Sequence, residues 1–207
     1  MHTSKNTLYA GTELAQAVKA IVLLHGRGGS PQDLLDLSRH IDLPGFALVA
    51  PAATQQSWYP LSFLAPEQSN QPWLDSALEL VHETLEYLKT QVGDSKKIHL
   101  MGFSQGACLA LESVARRPKA YGGVYALTGG LIGLGVNQRA FPGSLANTPV
   151  FLGCSDIDPH IPKDLVLESA QVLEEMGAKV KATLYPNFGH TVNEDELQQV
   201  QAILNAS

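Results

Sequence analysis

The chain has 207 residues, of which 44% are hydrophobic and 16% charged, and its formal net charge is −6. This length fits one α/β domain over residues 1–207 that can bury a substantial core. The negative charge argues against nucleic acid or an anionic membrane surface as a partner.

The chain carries few features that would direct it to a membrane or an oxidising compartment. Two cysteines, one in a predicted helix and one in a predicted strand, suit a reducing environment. The first residues form no apolar signal segment, and no apolar run reaches the ~18 residues of a membrane span. We therefore expect a cytoplasmic protein. Neither H-E-x-x-H nor C-x-x-C occurs, so we predict no metal and no cofactor.

Apolar runs and helix-forming segments alternate along the chain. Residues 8–14 predict a short hairpin arm beside the first core strand at 20–24. Later strands are predicted at 47–50, 97–101, 121–127, 149–154 and 180–185. Helices are predicted after Pro31, after Pro72, at 107–115, at 163–176 and at 194–204. Strands that alternate with helices indicate an α/β fold, with a mainly parallel sheet covered on both faces.

The segment G-F-S-Q-G at 102–106 connects a predicted strand to a predicted helix. A serine at such a sharp turn is typical of the nucleophile elbow of α/β-hydrolases. Glycines flank Ser104 because a Cβ on either side would collide with the neighbouring strand or helix. The alternative, a tight turn with a buried serine, requires no acid or histidine further along the chain.

An acid and a histidine do follow in the order that this fold requires. His190 ends a loop after the last predicted strand, and a histidine there could take the serine proton and return it to a leaving group. Two aspartates after the strand at 149–154, Asp156 and Asp158, compete for the role of orienting the imidazole. Spacing slightly favours Asp158, which precedes Pro159 and is therefore held extended.

A glycine-rich turn, H-G-R-G-G-S, follows the first core strand. Its backbone could present the N–H of Arg27 to a tetrahedral intermediate, together with the N–H of Gln105 after the nucleophile. A phosphate-binding loop is the alternative, but the turn lacks the G-x-G-x-x-G spacing and the P-loop lysine. His25 is expected to brace this turn, whereas His160 either is a solvated loop residue or lines the mouth of the site.

Two loops, 51–71 and 129–148, are long for a compact domain, and long loops often bind ligands. Apolar side chains in them could contact an acyl group or could equally pack against the protein body: Trp58, Phe63, Leu131 and Leu134. Dimerisation through these loops is compatible with catalysis and is not decided by the sequence.

The chain resembles the phospholipase/carboxylesterase family of α/β-hydrolases, which includes acyl-protein thioesterases and small bacterial carboxylesterases. The matching segments are L-H-G at 24–26, G-F-S-Q-G at 102–106, D-P-H-I-P at 158–162 and G-H at 189–190. The resemblance implies Ser104 as the nucleophile, Asp158 as the acid and His190 as the base. It also implies Arg27 and Gln105 as the backbone oxyanion donors.

The chain departs from the family pattern around the expected acyl pocket. Arg27 stands where the family often has leucine, and the segments 57–64 and 129–135 differ from the thioesterase pattern. The prediction is a serine hydrolase that cleaves small-molecule carboxylic esters or thioesters through an acyl-enzyme. A lactone or amide hydrolase on the same fold, or a non-catalytic ligand-binding protein, remains the alternative.

Overall fold

The structure, a computed structural model, describes residues 1–206. Its centre is a seven-stranded sheet. The strands are β1 (Leu8–Gly11), β2 (Lys19–Leu24), β3 (Phe46–Ala50), β4 (Ile98–Phe103), β5 (Gly123–Leu127), β6 (Pro149–Ser155) and β7 (Lys179–Tyr185).

Within residues 1–206, five α-helices accompany the sheet: α1 (Pro31–Ser38), α2 (Trp73–Val92), α3 (Gln105–Arg116), α4 (Lys163–Glu175) and α5 (Glu194–Asn205). Short 3₁₀ turns occur at Ser4–Asn6, Leu14–Gln16, Thr54–Gln56, Glu67–Asn70, Ser95–Lys97 and Val136–Gln138. Each helix begins where the sequence places a breaker or a cap. At α5, for example, Asn193 accepts a hydrogen bond from the N–H of Glu196 in a capping box.

The strand order is β1-β3-β2-β4-β5-β6-β7, and every neighbouring pair is parallel except β1 with β3. The predicted α/β-hydrolase architecture is confirmed. The prediction for residues 8–14 was wrong, because β1 pairs with β3 rather than with β2. The apolar run of β2 is almost wholly buried and lies between β3 and β4, whereas the exposed side chains of β1 suit the edge of the sheet.

Helices cover both faces of the sheet. One core contains the buried faces of α2, α3 and α4, and the other contains those of α1 and α5. The predicted helix after Pro72 is α2, and the apolar residues that repeat at helical spacing along it are buried: Leu74, Leu78, Val81, Leu85, Leu88 and Val92.

This topology brings several strand ends to one edge. Because β2 and β4 are parallel neighbours, the turn after Leu24 lies beside the turn after Phe103. The carboxyl ends of β6 and β7 lie further along the same edge. Ligands of open α/β sheets bind outside the carboxyl ends of the strands, so this edge is the expected position of a site.

Candidate active site

Ser104 lies in the turn between β4 and α3 and has a strained backbone, with φ +53° and ψ −119°. Its N–H donates to the carbonyl of Leu127, 3.0 Å away, and its carbonyl accepts the N–H of Cys108, also at 3.0 Å. Two glycines permit this tight turn. A Cβ on Gly102 would lie 2.3 Å from the carbonyl oxygen of Gly106, and a Cβ on Gly106 would lie 2.0 Å from that of Leu24.

Three of the predicted site residues form one hydrogen-bonded chain. The hydroxyl of Ser104 lies 2.9 Å from Nε2 of His190, and Nδ1 of His190 lies 2.8 Å from Oδ2 of Asp158. A carboxylate only accepts hydrogen bonds, so the proton of the neutral imidazole is on Nδ1. Nε2 is then free to accept the Ser104 proton, which is the arrangement that a serine nucleophile requires.

Asp158 is held in place by more than His190. Its side chain is fully buried, and Oδ1 accepts the backbone N–H groups of His160 at 2.7 Å and Ile161 at 2.8 Å. One carboxylate oxygen is thus fixed by the loop and the other faces the imidazole. The sequence had only weakly separated the two aspartates, and it is Asp158 that contacts His190.

Asp156 instead supports the loop that carries His190. Its Oδ1 accepts the N–H of Asn187 at 2.8 Å. The hydroxyl of Ser155 accepts two further N–H groups of this loop, those of Phe188 at 3.2 Å and Gly189 at 3.0 Å. The role of Ser155 was not predicted from the sequence, although its position as a polar residue at the end of a buried strand could have indicated it.

The backbone N–H groups of Arg27 and Gln105 both lie beside the nucleophile turn. Gln105 is the first residue of α3, and the first N–H groups of a helix have no partner within it. Neither of the two N–H groups donates to a protein acceptor in the part of the chain that the structure describes. Both are therefore free to bind an oxygen that develops negative charge near Ser104.

The side chains of the same two residues hold the loop at 57–61. Oε1 of Gln105 accepts the N–H of Trp58 at 2.9 Å, and its Nε2 donates to the carbonyl of Tyr59 at 2.8 Å. Nη1 of Arg27 donates to the carbonyl of Pro60 at 2.7 Å, and Nη2 donates to the carbonyl of Leu61. The loop is thus joined directly to the nucleophile turn and the glycine-rich turn.

Ser104 opens into a cleft of about 430 Å³. The residues that line it are Arg27, Tyr59, Pro60, Leu61, Ser62, Phe63, Ser104, Gln105, His160, Ile161 and His190. Within this cleft the ring of His160 meets the ring of His190 edge-on, with centroids 4.8 Å apart. His160 therefore lines the mouth of the site, and it is also exposed to solvent.

Of the four apolar loop residues singled out in the sequence, only Phe63 lines this cleft. Trp58 and Leu131 are fully buried in the core, and the indole N–H of Trp58 donates to the carbonyl of His25 at 2.8 Å. Leu134 is 73% exposed and lies in a separate surface cleft beside Arg139. Loop residues lack a helical or strand period, so the sequence did not distinguish inward from outward side chains.

His25 braces the glycine-rich turn as expected. Its Nδ1 donates to the carbonyl of Gly26 at 2.7 Å, and its Nε2 accepts the N–H of Ala53 at 3.0 Å. Burial lowers the pKa of His25, so the ring stays neutral and keeps this donor-and-acceptor pattern. A neutral, fully engaged imidazole has no free nitrogen for proton transfer.

The remaining reactive groups lie outside the site. Cys108 and Cys154 are free and buried, and burial raises the pKa of each thiol to about 12. Among residues 1–206, no three His, Cys, Asp or Glu side chains cluster closely enough to hold a metal ion. No helix in the same range is both long and apolar enough to cross a membrane.

A family model described as phospholipase/carboxylesterase matches residues 12–207. Among solved structures, a phospholipase/carboxylesterase from Dyadobacter fermentans is 44% identical, with a TM-score of 0.93, over 98% of this chain and 97% of that one. A carboxylesterase from Bacillus cereus has a TM-score of 0.79 over 97% of this chain and 93% of that one; at 19% identity it shows only the shared fold.

Two curated relatives match more distantly. A probable carboxylesterase of Oryza sativa subsp. japonica is 27% identical over 201 residues, which are 88% of this chain and 75% of the relative. Acyl-protein thioesterase 1 of Saccharomyces cerevisiae is 30% identical over 114 residues, 54% of this chain and 50% of the relative. The chain thus matches about half the length of this thioesterase.

Proposed function

The chain belongs to the phospholipase/carboxylesterase family and is an ester hydrolase, and we propose that Ser104, His190 and Asp158 are its catalytic triad. The observation that carries this proposal is the hydrogen-bonded chain from the Ser104 hydroxyl through His190 to Asp158. We further propose that residues 1–207 act as one catalytic domain.

In the first half of the reaction, the hydroxyl oxygen of Ser104 attacks the acyl carbon while Nε2 of His190 takes the hydroxyl proton. The oxygen of the tetrahedral intermediate accepts the backbone N–H groups of Arg27 and Gln105, and each such donor can lower the barrier by ~3 kcal/mol. Asp158 fixes the imidazole tautomer and stabilises the imidazolium. His190 then returns its proton to the leaving alcohol or thiol, and an acyl-enzyme remains.

In the second half, water replaces the serine as the attacking group. His190 takes a proton from the water, whose oxygen bonds to the acyl carbon, and the Ser104 oxygen leaves with the proton from His190. The products are a carboxylic acid and the free enzyme. The chemistry is the same for a thioester, and the likeness to a yeast acyl-protein thioesterase supports thioesters as substrates as well.

The test of this function uses p-nitrophenyl esters of short, medium and long acyl chains, with a thioester series measured in parallel. We expect Ser104→Ala to abolish both turnover and labelling by a fluorophosphonate probe. Ser113→Ala is a suitable control, because Ser113 is a buried serine of α3, the helix that follows the nucleophile turn. Full activity of Ser104→Ala, or equal losses in both variants, would overturn the proposed mechanism.

The partners and the location are also proposals. A cleft of about 430 Å³ has the size of a small-molecule site, which supports a small ester or thioester substrate. The net charge of −6 disfavours nucleic acid. Two buried free thiols fit the reducing cytoplasm. Light scattering would establish whether the chain forms a homodimer.

A further inference from the structure

Arg27 brings a permanent positive charge to a cleft that contains no negative side chain to neutralise it. None of the residues that line the cleft is an aspartate or a glutamate. Within residues 1–206, no carboxylate lies within ion-pair distance of the Arg27 guanidinium. Asp158 lies close to the cleft but is fully buried behind His190, to which it is hydrogen-bonded.

The hydrogen bonds of Arg27 leave part of its guanidinium unused. Nη1 donates to Ser57 at 3.2 Å and to Pro60 at 2.7 Å, and Nη2 donates to Leu61. An arginine side chain has five N–H groups. In the described chain, the Nε–H and one N–H of Nη2 therefore have no protein acceptor. Guanidinium N–H groups form strong hydrogen bonds to carboxylates, so these two donors remain for an anionic ligand.

Anchoring the loop does not by itself use the charge of Arg27. Its three acceptors are two carbonyl oxygens and one hydroxyl, all of them neutral. The ring of Tyr59, 5.9 Å from the guanidinium carbon, supplies only weak cation–π attraction. The formal charge of the exposed Arg27 thus remains available to a ligand in the cleft.

The positive charge of Arg27 is opposite in sign to the net charge of the whole chain. The chain carries a net charge of −6, which on average repels anions, so a positive cleft is a local exception. Charge complementarity at the cleft would select among substrates and would raise the rate of encounter with anionic ones. Electrostatic selection of this kind weakens with salt, because the Debye length falls to about 3 Å at 1 M ionic strength.

We propose that Arg27 is a specificity residue that selects esters or thioesters bearing a carboxylate. This inference rests on the proposed function, because the carboxylate must lie on a substrate that Ser104 attacks. It goes beyond ester hydrolysis by naming a class of substrate that a neutral residue at position 27 would not distinguish.

The test compares pairs of substrates that differ only in charge. The first pair, monomethyl adipate and its neutral carboxamide analogue methyl adipamate, carries the group on the acyl side. The second pair, 4-acetoxybenzoate and 4-acetoxybenzamide, carries it on the leaving group. The measured quantity is the ratio of kcat/KM for the anionic and the neutral member of each pair. A general loss of activity caused by loop disturbance cancels in this ratio.

The variants separate the charge of Arg27 from its hydrogen bonds. Arg27→Gln removes the charge and keeps polar donors, whereas Arg27→Lys keeps the charge and loses the planar fork. Arg39→Gln is the matched control: it changes the net charge equally, but Arg39 lies on the surface and pairs with Asp36.

In the unmodified enzyme we expect the anionic member of at least one pair to be preferred about five-fold, equivalent to about 1 kcal/mol. The preference should disappear in Arg27→Gln, persist in Arg27→Lys and Arg39→Gln, and fall at high salt. The pair that shows it identifies the side of the ester that faces Arg27.

Equal ratios in the unmodified enzyme and Arg27→Gln, with both esters still hydrolysed by Ser104, would refute the inference and leave the proposed function intact. If the enzyme hydrolysed neither member of either pair and no p-nitrophenyl ester, both the inference and the proposed function would be overturned.

Discussion

Exchange of Asp158 for asparagine would test the triad more sharply than loss of the serine, because the outcome depends on which atoms donate and accept. Oδ1 of Asp158 accepts two backbone N–H groups. The amide oxygen of an asparagine must keep that position, so its NH₂ group takes the place of Oδ2 and faces Nδ1 of His190. Two donors cannot pair, and the imidazole proton therefore moves to Nε2.

The consequence for catalysis follows from this change of tautomer. With its proton on Nε2, His190 donates to the Ser104 oxygen instead of accepting its proton. We expect kcat/KM to fall about 10⁴-fold, the loss typical of a triad aspartate replaced by asparagine. Since each factor of ten is about 1.36 kcal/mol, this loss is about 5 kcal/mol of transition-state stabilisation.

The assay is hydrolysis of a short p-nitrophenyl ester, with the rate of fluorophosphonate labelling as a second readout. Asp156→Asn is the matched control, because Asp156 lies in the same loop but accepts from Asn187 and does not contact His190. We expect the control to keep activity within about three-fold, because the amide oxygen of an asparagine can still accept the N–H of Asn187. Equal losses in the two variants, or a greater loss in Asp156→Asn, would refute the reasoning.

Three further changes test the framework around the site, each by urea unfolding. Burial raises the pKa of Glu196 from 4.5 to about 7 because it disfavours the charged carboxylate. The stability contributed by the protonated carboxyl group is therefore full below pH 4.5, falls as the pH rises and is lost above pH 7. The free energy of unfolding of Glu196→Gln should therefore rise by about 3 kcal/mol relative to that of the unmodified protein across that range; a pH-independent difference would contradict this. Gly106→Ala would put a Cβ 2.0 Å from the carbonyl oxygen of Leu24. It should lower the free energy of unfolding by about 3 kcal/mol and remove most of the activity; retained stability would show that the turn can relax. Glu112→Gln breaks a buried ion pair with Arg139 and should lower the free energy of unfolding by about 3 kcal/mol. A decrease below about 1 kcal/mol would show that the pair is solvated.

The fold could be read from the sequence because its signals are local. The apolar runs that form β2 and β4 to β6 are short and continuous, and the stripe of α2 repeats at helical spacing. The exception was the arm at residues 8–14. A short segment with exposed side chains carries no pattern that selects a neighbour, so its pairing with β3 was not predictable.

The sequence predicted some residues of the candidate site but not the long-range contacts that support them. Ser104 and His190 were predictable because the chain order of nucleophile, acid and base follows the order of the strand ends. The choice of Asp158 over Asp156 needed the family resemblance, since two loop residues differ little in spacing. The support from the Gln105 side chain was not predictable, because its contacts with the loop at 57–59 join residues more than 40 positions apart.

The burial of the Glu112 carboxylate was not predictable from the sequence for a similar reason. Glu112 lies on α3 with its side chain fully buried, and its carboxylate accepts Nε of Arg116 at 2.7 Å and the N–H of Ile132 at 3.0 Å. A glutamate in a helix normally faces water, and the distant Ile132 and Arg139 help to explain why this one does not. The sequence placed Glu112 and Arg116 four residues apart on one helix but gave no sign of the two distant partners.

These contacts separate the chemistry of the site from its selectivity. Ser104 holds a strained backbone of the kind that costs ~1 to 3 kcal/mol, and the close approach of Gly106 to Leu24 leaves the turn little room to relax. The loops are held differently: Arg27 anchors the loop at 57–61, and Glu112 anchors residues 132 and 139. We therefore expect a substitution at Arg27 to change which substrate is preferred while the serine, histidine and aspartate keep their geometry, because the Arg27 side chain forms no hydrogen bond with any of these three residues.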